Sequence, residues 1–239
     1  MTLQKQVVPT AQVLEMLRVH YWREPVGYTA AYDIQQRLWS QNMTGEGPDA
    51  LLVLSHPPTF TIGKSGKLDN LLLAREELEK RGLSVFFTDR GGDITYHGPG
   101  QVVAYPIIDL RKRGKDIHRY VHDLEEVVIR TLADFSIEAH RNEKYVGVWV
   151  GDEKIAAIGV RIRRWVTMHG LALNIDPIME HFSYINPCGI VDCGITSITG
   201  LLSRNVTFDD VALKLVDRFA EVFAVQVEWA TDSPSRCVL

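Results

Sequence analysis

Of the three cysteines in this 239-residue chain, Cys188 sits where a nucleophile would. It lies between Pro187 and Gly189 in N-P-C-G-I-V-D-C-G-I-T-S-I, residues 186–198, and those neighbours favour a turn with the thiol accessible. A thiol reacts as its thiolate. At an unperturbed pKa of ~8.5 only a few per cent is ionised at pH 7, so a reactive cysteine needs a cation beside it. Lys154 is the candidate; it opens the apolar, strand-like run K-I-A-A-I-G-V just after Gly151 and Asp152. An ammonium about 4 Å away interacts by roughly 4 kcal/mol at an effective dielectric of ~20. At ~1.4 kcal/mol per pKa unit, one lysine could lower a thiol by about two units after desolvation losses. Such a pair suits acyl transfer between thioesters, because that exchange is nearly balanced and the enzyme-bound acyl group stores little excess energy. On its residues alone, Lys154 also fits a solvated turn lysine. Cys193 has no obvious basic partner and reads as a core or wall residue, and Cys237 lies in a polar tail.

A second stretch, R-G-G-D-I-T-Y-H-G-P-G-Q from Arg90 to Gln101, holds four glycines with an arginine and a histidine. Glycines let a ligand approach the main chain, and Ile94, Thr95 and Tyr96 have the character of a short strand. The stretch reads either as a glycine-lined wall for an extended ligand or as a glycine-rich hairpin around a buried histidine. Neither G-x-G-x-x-G nor a phosphate-loop G-K-[ST] occurs at loop spacing. His118 and His122 have metal-ligand spacing, but no further ligand completes a site, and a solvated helix face explains them better.

Taken together, these blocks resemble the lipoyl(octanoyl) transferases. The resemblance rests on R-G-G-D-I-T-Y-H-G-P-G-Q, K-I-A-A-I-G-V-R-I-R-R, H-G-L-A-L-N and N-P-C-G-I followed by T-S-I, in the family's order over about 110 residues, with S-H-P-P-T-F-T-I-G-K upstream. It implies an α/β (α+β) fold of mixed β-sheets flanked by helices, similar to the catalytic domain of biotin and lipoate protein ligases. It implies an acyltransferase that takes octanoyl from octanoyl-acyl carrier protein. The acceptors would be target lysines of lipoyl domains in 2-oxoacid dehydrogenase complexes and of the glycine cleavage H protein. The transfer would pass through a thioester on Cys188 paired with Lys154, which would act as a proton relay or only as a charge.

The resemblance also places the acyl chain against Arg90, Gly91, Gly92, Asp93, Ile94, Thr95, Tyr96 and His97, against Ala157, Ile158 and Gly159, and against Gly170, Leu171 and Ala172. A wall so rich in glycine and alanine reads as a tunnel whose closed end limits chain length. Backbone N–H groups near Gly170–Ala172 or Cys188 would suit an oxyanion hole. His56 is either a loop histidine or a neighbour of this pocket. No cofactor and no metal is expected. The nearest alternative is an ATP-dependent lipoate or biotin protein ligase, opposed by the apparent nucleophile and the absent nucleotide loop. An acyl-binding module without activity is a third reading, opposed by Lys154 and Cys188.

The composition fits a folded chain: 46% of residues are apolar and the net charge is −4. Slight acidity gives no reason to expect nucleic acid. No apolar run reaches the roughly 20 residues that span a bilayer, and no signal peptide is evident, so a cytoplasmic location is expected. One domain over residues 1–239 is expected, with a polar tail from about 231.

The periodicities place the candidate residues on elements. Residues 13–21, 50–55, 59–63, 84–88, 102–110 and 225–229 read as strands, and 145–175 as a three-stranded meander. Pro106 suggests an edge or bulge. Helices are predicted over 26–41, 73–80, 116–136 and from Thr207, where Asp210 completes a capping box. Arg111 to Lys115 is either a solvated turn or a landing point for an acidic partner.

Overall fold

The computed structural model describes residues 14–186 and 194–231. Cys188, Cys193 and Cys237 lie outside the described residues. The strands are β1 (Glu15–Tyr21), β2 (Asp49–Leu54), β3 (Thr59–Ile62), β4 (Ser84–Phe87), β5 (Ile94–His97), β6 (Gln101–Ile107), β7 (His140–Arg141), β8 (Val148–Val150), β9 (Glu153–Arg163), β10 (Val166–Asn174) and β11 (Val225–Trp229). The helices are α1 (Tyr28–Thr44), α2 (Arg75–Lys80), α3 (Ile117–Ala133), α4 (Ile198–Leu202) and α5 (Phe208–Phe223). A large mixed sheet runs in the order β11-β1-β2-β6-β10-β9-β8-β7, and a small one in the order β4-β3-β5. The expected mixed α/β architecture is therefore present. The short β7 and α4 were not foreseen; two strand residues and a five-residue helix are too short to show a period.

β2 is buried at every position, and its residues divide by parity. Leu51 and Val53 face the core shared with α3 and α5, while Ala50, Leu52 and Leu54 face the core shared with α1. That is the signature of a strand covered on both faces. α3 presents Tyr120, Leu124, Val127, Val128 and Leu132 as its buried stripe, while Ile117 is 44% exposed. It lies in the first turn, beyond the reach of the sheet. α1 buries Tyr28, Ala31, Gln35 and Leu38, and ends at Gly45 with φ 80°, a left-handed cap open to glycine. α5 starts with the predicted box: Thr207 accepts from Asp210 N, and Asp210 accepts from Thr207 N.

Pro106 corrects the sequence expectation, because β6 lies in the middle of the large sheet. On one side Pro106 pairs with Leu51 of β2; on the other, the ladder to β10 stops at Ala104–Leu171. Proline has no N–H to give there. β10 bends away at His169, whose φ is +57°, and the His169 N–H goes to Gln35 Oε1 of α1 at 2.8 Å. Contact resumes through Thr167, whose hydroxyl donates to Pro106 O (2.7 Å) and accepts from Ile108 N (2.8 Å).

Gly170 completes this arrangement. A Cβ there would stand 2.1 Å from Ala104 O and 2.6 Å from Pro106 Cδ. Gly170→Ala is therefore expected to lower stability by about 1–3 kcal/mol, since the clash is with backbone and a ring that cannot swing aside. A urea midpoint that falls with an unchanged slope would show it; an unchanged midpoint would mean that β6 and β10 part freely.

Candidate active site

A cavity of about 270 Å³ lies between residues of both sheets. It takes in every candidate of the glycine stretch except Gly91 and Tyr96, together with Lys154, Ala157, Ile158, Gly159, Gly170, Leu171 and Ala172. Tyr96 faces the core of the small sheet, with its ring against Phe60 and its hydroxyl 2.8 Å from His181 Nδ1. Gly91 is held by the large sheet instead: its N–H donates to Val160 O at 2.8 Å.

The arginine and aspartate of the glycine stretch shape the wall. Arg90 is buried and donates to Thr61 O (2.6 Å), to Thr61 Oγ1 (3.0 Å from Nη2) and to Gly91 O (2.9 Å). Asp93 accepts from Ile94 N at 2.7 Å and from Asn70 Nδ2 at 2.5 Å. Gly159 and Gly170 admit protein backbone. A Cβ on Gly159 would meet Gly91 O at 3.0 Å and Arg90 Cδ at 3.1 Å. These two glycines let the wall close on itself at those points, and both line the cavity. Leu171 and Ala172 pair with β6 on one side and with β9 on the other, and the ladder to β6 ends before Gly170.

Lys154 stands at the other end. Its main chain extends the sheet: its N–H donates to Gly194 O (2.9 Å), and its carbonyl accepts from Thr196 N (3.1 Å). Its ammonium lies 4.9 Å from the Trp149 ring centroid and 3.4 Å from Val146 O. A cation over an indole face is attracted by the negative face of the ring. Two cavity residues brace the strand after it. Gly98 N donates to Gln101 Oε1 (3.1 Å), Gln101 Nε2 to Asn174 Oδ1 (2.8 Å), and Asn174 Nδ2 to Thr196 O (3.0 Å). Gln101 and Asn174 are the last residues of two blocks that the sequence singled out, yet neither was a candidate; only the fold reveals the chain of amides joining them.

The cavity also borders Tyr28, Tyr105 and Trp149, which no motif flagged, and His169, the first residue of H-G-L-A-L-N, which was not a candidate. His169 Nε2 lies 2.8 Å from Asp89 Oδ1, and Asp89 also pairs with Arg161 at 2.8 Å. Burial pushes His169 below the usual imidazole range, and its hydrogen bond holds Asp89 below the carboxylate range. The pair is thus a neutral histidine donating to a carboxylate. His56 is fully buried beside this cluster, with Nδ1 2.6 Å from Val26 O and Nε2 2.8 Å from Tyr105 Oη.

Burial pushes His56 down to about 4. Between pH 6.5 and 4 the unfolded chain therefore binds a proton at this site that the folded chain refuses. The associated stability is complete above ~6.5 and is lost as pH falls, by about 2 kcal/mol at pH 5. His97 and His169, lowered for the same reason, act in the same direction. Urea unfolding at pH 7 and pH 5 measures this; equal stability at both would show that His56 accepts its proton in the folded state.

The basic loop after β6 lies away from the cavity mouth. Arg111 pairs with Asp109 at 2.7 Å, and Arg113 with Glu15 at 2.8 Å, so two of its cations brace the fold. Asp109 bridges to Val166, at the opposite end of the β9–β10 hairpin from Lys154. Among the described residues, no helix is long and apolar enough to cross a membrane.

Comparison with known proteins accords with this geometry. The chain is 51% identical over 205 residues to an octanoyltransferase of Caldicellulosiruptor saccharolyticus, a match covering 85% of this chain and 87% of that protein. Its fold matches a crystal structure of lipoate-protein ligase A bound with ATP at a TM-score of 0.74 and 16% identity, covering 92% of this chain and 91% of the other. It also matches a biotin protein ligase from Aquifex aeolicus in complex with biotin and ATP at a TM-score of 0.51 and 14% identity, covering 87% and 70%. At such identities these two structures speak for the fold alone. The model of the lipoyl protein ligase A/B catalytic domain matches residues 27–220. The chain belongs to that family, and within it to the octanoyltransferases, which are acyltransferases.

Proposed function

We propose that this protein transfers an octanoyl group from octanoyl-acyl carrier protein to the target lysine of lipoyl domains, through a thioester on Cys188. The observation that carries the reading is the course of the chain around Lys154. Ile185 lines the cavity, and so do Gly194 and Ile195, which pair with Lys154. The chain thus enters the 187–193 interval at this cavity and leaves it beside the lysine. Two peptide units join Cys188 to Asn186, a reach of at most about 7 Å.

The steps balance in protons. The Cys188 thiolate attacks the donor carbonyl, and the bond to the carrier sulfur breaks. The departing thiolate takes a proton from the Lys154 ammonium. A neutral target amine then attacks the Cys188 thioester, and the carbon–sulfur bond breaks. Lys154 accepts the amine's proton, which restores the thiolate–ammonium pair. Lipoyl domains of 2-oxoacid dehydrogenase complexes and the glycine cleavage H protein are the proposed acceptors. The apolar lining residues Ile94, Ala157, Ile158 and Leu171 support an alkyl substituent, since each buried methylene contributes ~0.8 kcal/mol.

The test is mass spectrometry of the protein mixed with octanoyl-carrier protein in the absence of ATP. Octanoyl added at Cys188, and chased onto a lipoyl domain, is the expected result. A strict requirement for ATP would instead make the protein a ligase, and no adduct under either condition would leave only acyl binding.

A further inference from the structure

The cavity takes a wall from each sheet, and the two walls meet at a seam. The glycine stretch is tied to the small sheet: Gly63 N donates to Asp93 O (3.1 Å), Lys64 N to Arg90 O (3.0 Å), and the Arg90 side chain to Thr61 O of β3 (2.6 Å). β9 and β10 of the large sheet supply the facing wall. The walls come together where Gly91 O abuts Gly159 and Gly91 N donates to Val160 O. Arg90 and Gly92 on one side of this seam, and Gly159, His169 and Gly170 on the other, all line the cavity.

One carboxylate fastens the seam. Asp89 immediately precedes Arg90, and both of its oxygens are used. Oδ1 lies 2.8 Å from His169 Nε2 on β10, and Oδ2 lies 2.8 Å from Arg161 Nη1 on β9. Each donor is itself held. His169 takes a left-handed φ of +57°, which costs a residue with a side chain, and its buried ring has Tyr32 stacked at 5.9 Å and Tyr105 edge-on at 6.3 Å. The Arg161 guanidinium lies 5.2 Å from the centroid of Trp39 on α1. Asp89 therefore joins the chain of the glycine wall to two side chains fixed on the large sheet. Hydrogen bonds to an ionised carboxylate are stronger than neutral ones. Without it, a buried imidazole N–H and a largely buried guanidinium lose their acceptor, and water must enter the seam to replace it.

We propose that Asp89 is a positioning residue: it holds the glycine wall against the β9–β10 wall and so keeps the cavity narrow enough to favour an unbranched acyl chain over a branched one. The proposal rests on the acyl-transfer reading for its substrate. Asp89 acts through His169 and Arg161, not on the acyl group itself. Each wall is a hydrogen-bonded sheet, so the separation fixed at the seam carries along both, and the acyl chain need not reach the seam to feel it. A branch methyl between fixed walls overpacks the cavity. Between walls that can part, it does not.

Octanoyl and 4-methyloctanoyl differ by one branch methyl on the same main chain. Transfer kinetics from the two carrier-protein thioesters, and calorimetric binding of the two free acids to the full chain, are the measurements. The native protein is expected to favour the straight chain by about tenfold or more in kcat/KM. Asp89→Ala is expected to erase most of that preference, mainly by raising KM for octanoyl, with a smaller fall in kcat. Alkylation of Cys188 by iodoacetamide should stay near native, because the Lys154 end is untouched. Asp89→Asn offers one acceptor oxygen to two donors and should lose the preference in part. A native protein that does not discriminate overturns the proposal, as does a straight-chain preference that survives intact in folded Asp89→Ala. Loss that strikes both thioesters alike through kcat also overturns it, since a merely structural residue would act that way. Should Asp89→Ala fail to fold, Asp89→Asn decides, and an unchanged preference there overturns the proposal. Acids discriminated by the native protein but not by Asp89→Ala, without transfer from either thioester, would sustain the clamp and sink the transferase reading. Octanoyl transfer with a preference indifferent to Asp89 would do the reverse.

Discussion

Cys188→Ser is expected to stop octanoyl transfer, by a factor on the order of 10³ or more, while leaving the circular dichroism spectrum unchanged. Serine keeps the shape of the side chain but not its chemistry. Its hydroxyl is not ionised near pH 7, and the described histidines lining the cavity, His97 and His169, are made weaker bases by burial. An oxygen ester on the serine, if formed, would also lie in a deeper well than a thioester and would deacylate slowly. The companion variant Cys193→Ser should keep most activity. Its neighbour Gly194 faces Glu153, whose Oε1 stands 2.6 Å from where a Cβ on that glycine would be, so the chain leaves the interval next to an acid. A carboxylate beside a thiol disfavours its thiolate, which supports Cys193 as the poorer nucleophile. Native turnover by Cys188→Ser, or complete loss in Cys193→Ser, would reassign the nucleophile.

The parts of the fold that were legible in the sequence are those whose local pattern and tertiary setting agree. β2 could be read from A-L-L-V-L-S because both of its faces are covered, and α5 from Thr207 and Asp210 because a capping box needs only four residues. Pro106 misled because its cost is absorbed by residues far away: Gly170 vacates the space for the ring, Thr167 bridges the gap, and His169 takes up the bend. The Lys154 end of the site was legible because its blocks are contiguous in sequence. The histidine–tyrosine cluster was not, since Tyr28, His56, His97 and Tyr105 come from four separate segments and meet only where α1 packs on the two sheets. A glycine needed for close approach looks the same in sequence whether the neighbour is a ligand or the protein's own main chain; Gly159 and Gly170 border both the cavity and neighbouring backbone.

Lys154 separates charge from proton transfer, and two substitutions distinguish them. Lys154→Ala removes both. The ammonium lies over Trp149, and both residues line the cavity. Its loss should raise the pH midpoint for alkylation of Cys188 by iodoacetamide by about two pH units, from the ~4 kcal/mol attraction less desolvation. At pH 7 that slows alkylation by roughly 25-fold. Turnover should fall further, by a factor of about 10² or more, because the amine of the second step also loses its proton acceptor. Lys154→Arg keeps the charge, and a guanidinium stacks on an indole at least as well as an ammonium does. It cannot deprotonate, however, so it cannot relay. The expected pattern is therefore split: Arg restores the alkylation profile to near native but leaves turnover close to that of Ala. Single-turnover measurements sharpen this, since acylation by octanoyl-carrier protein should recover more in the Arg variant than transfer onward to the lipoyl domain. Equal recovery of alkylation and turnover would reduce Lys154 to a fixed charge and require another group to take the proton. Lys144, the other lysine lining this cavity, would then be the residue to replace next.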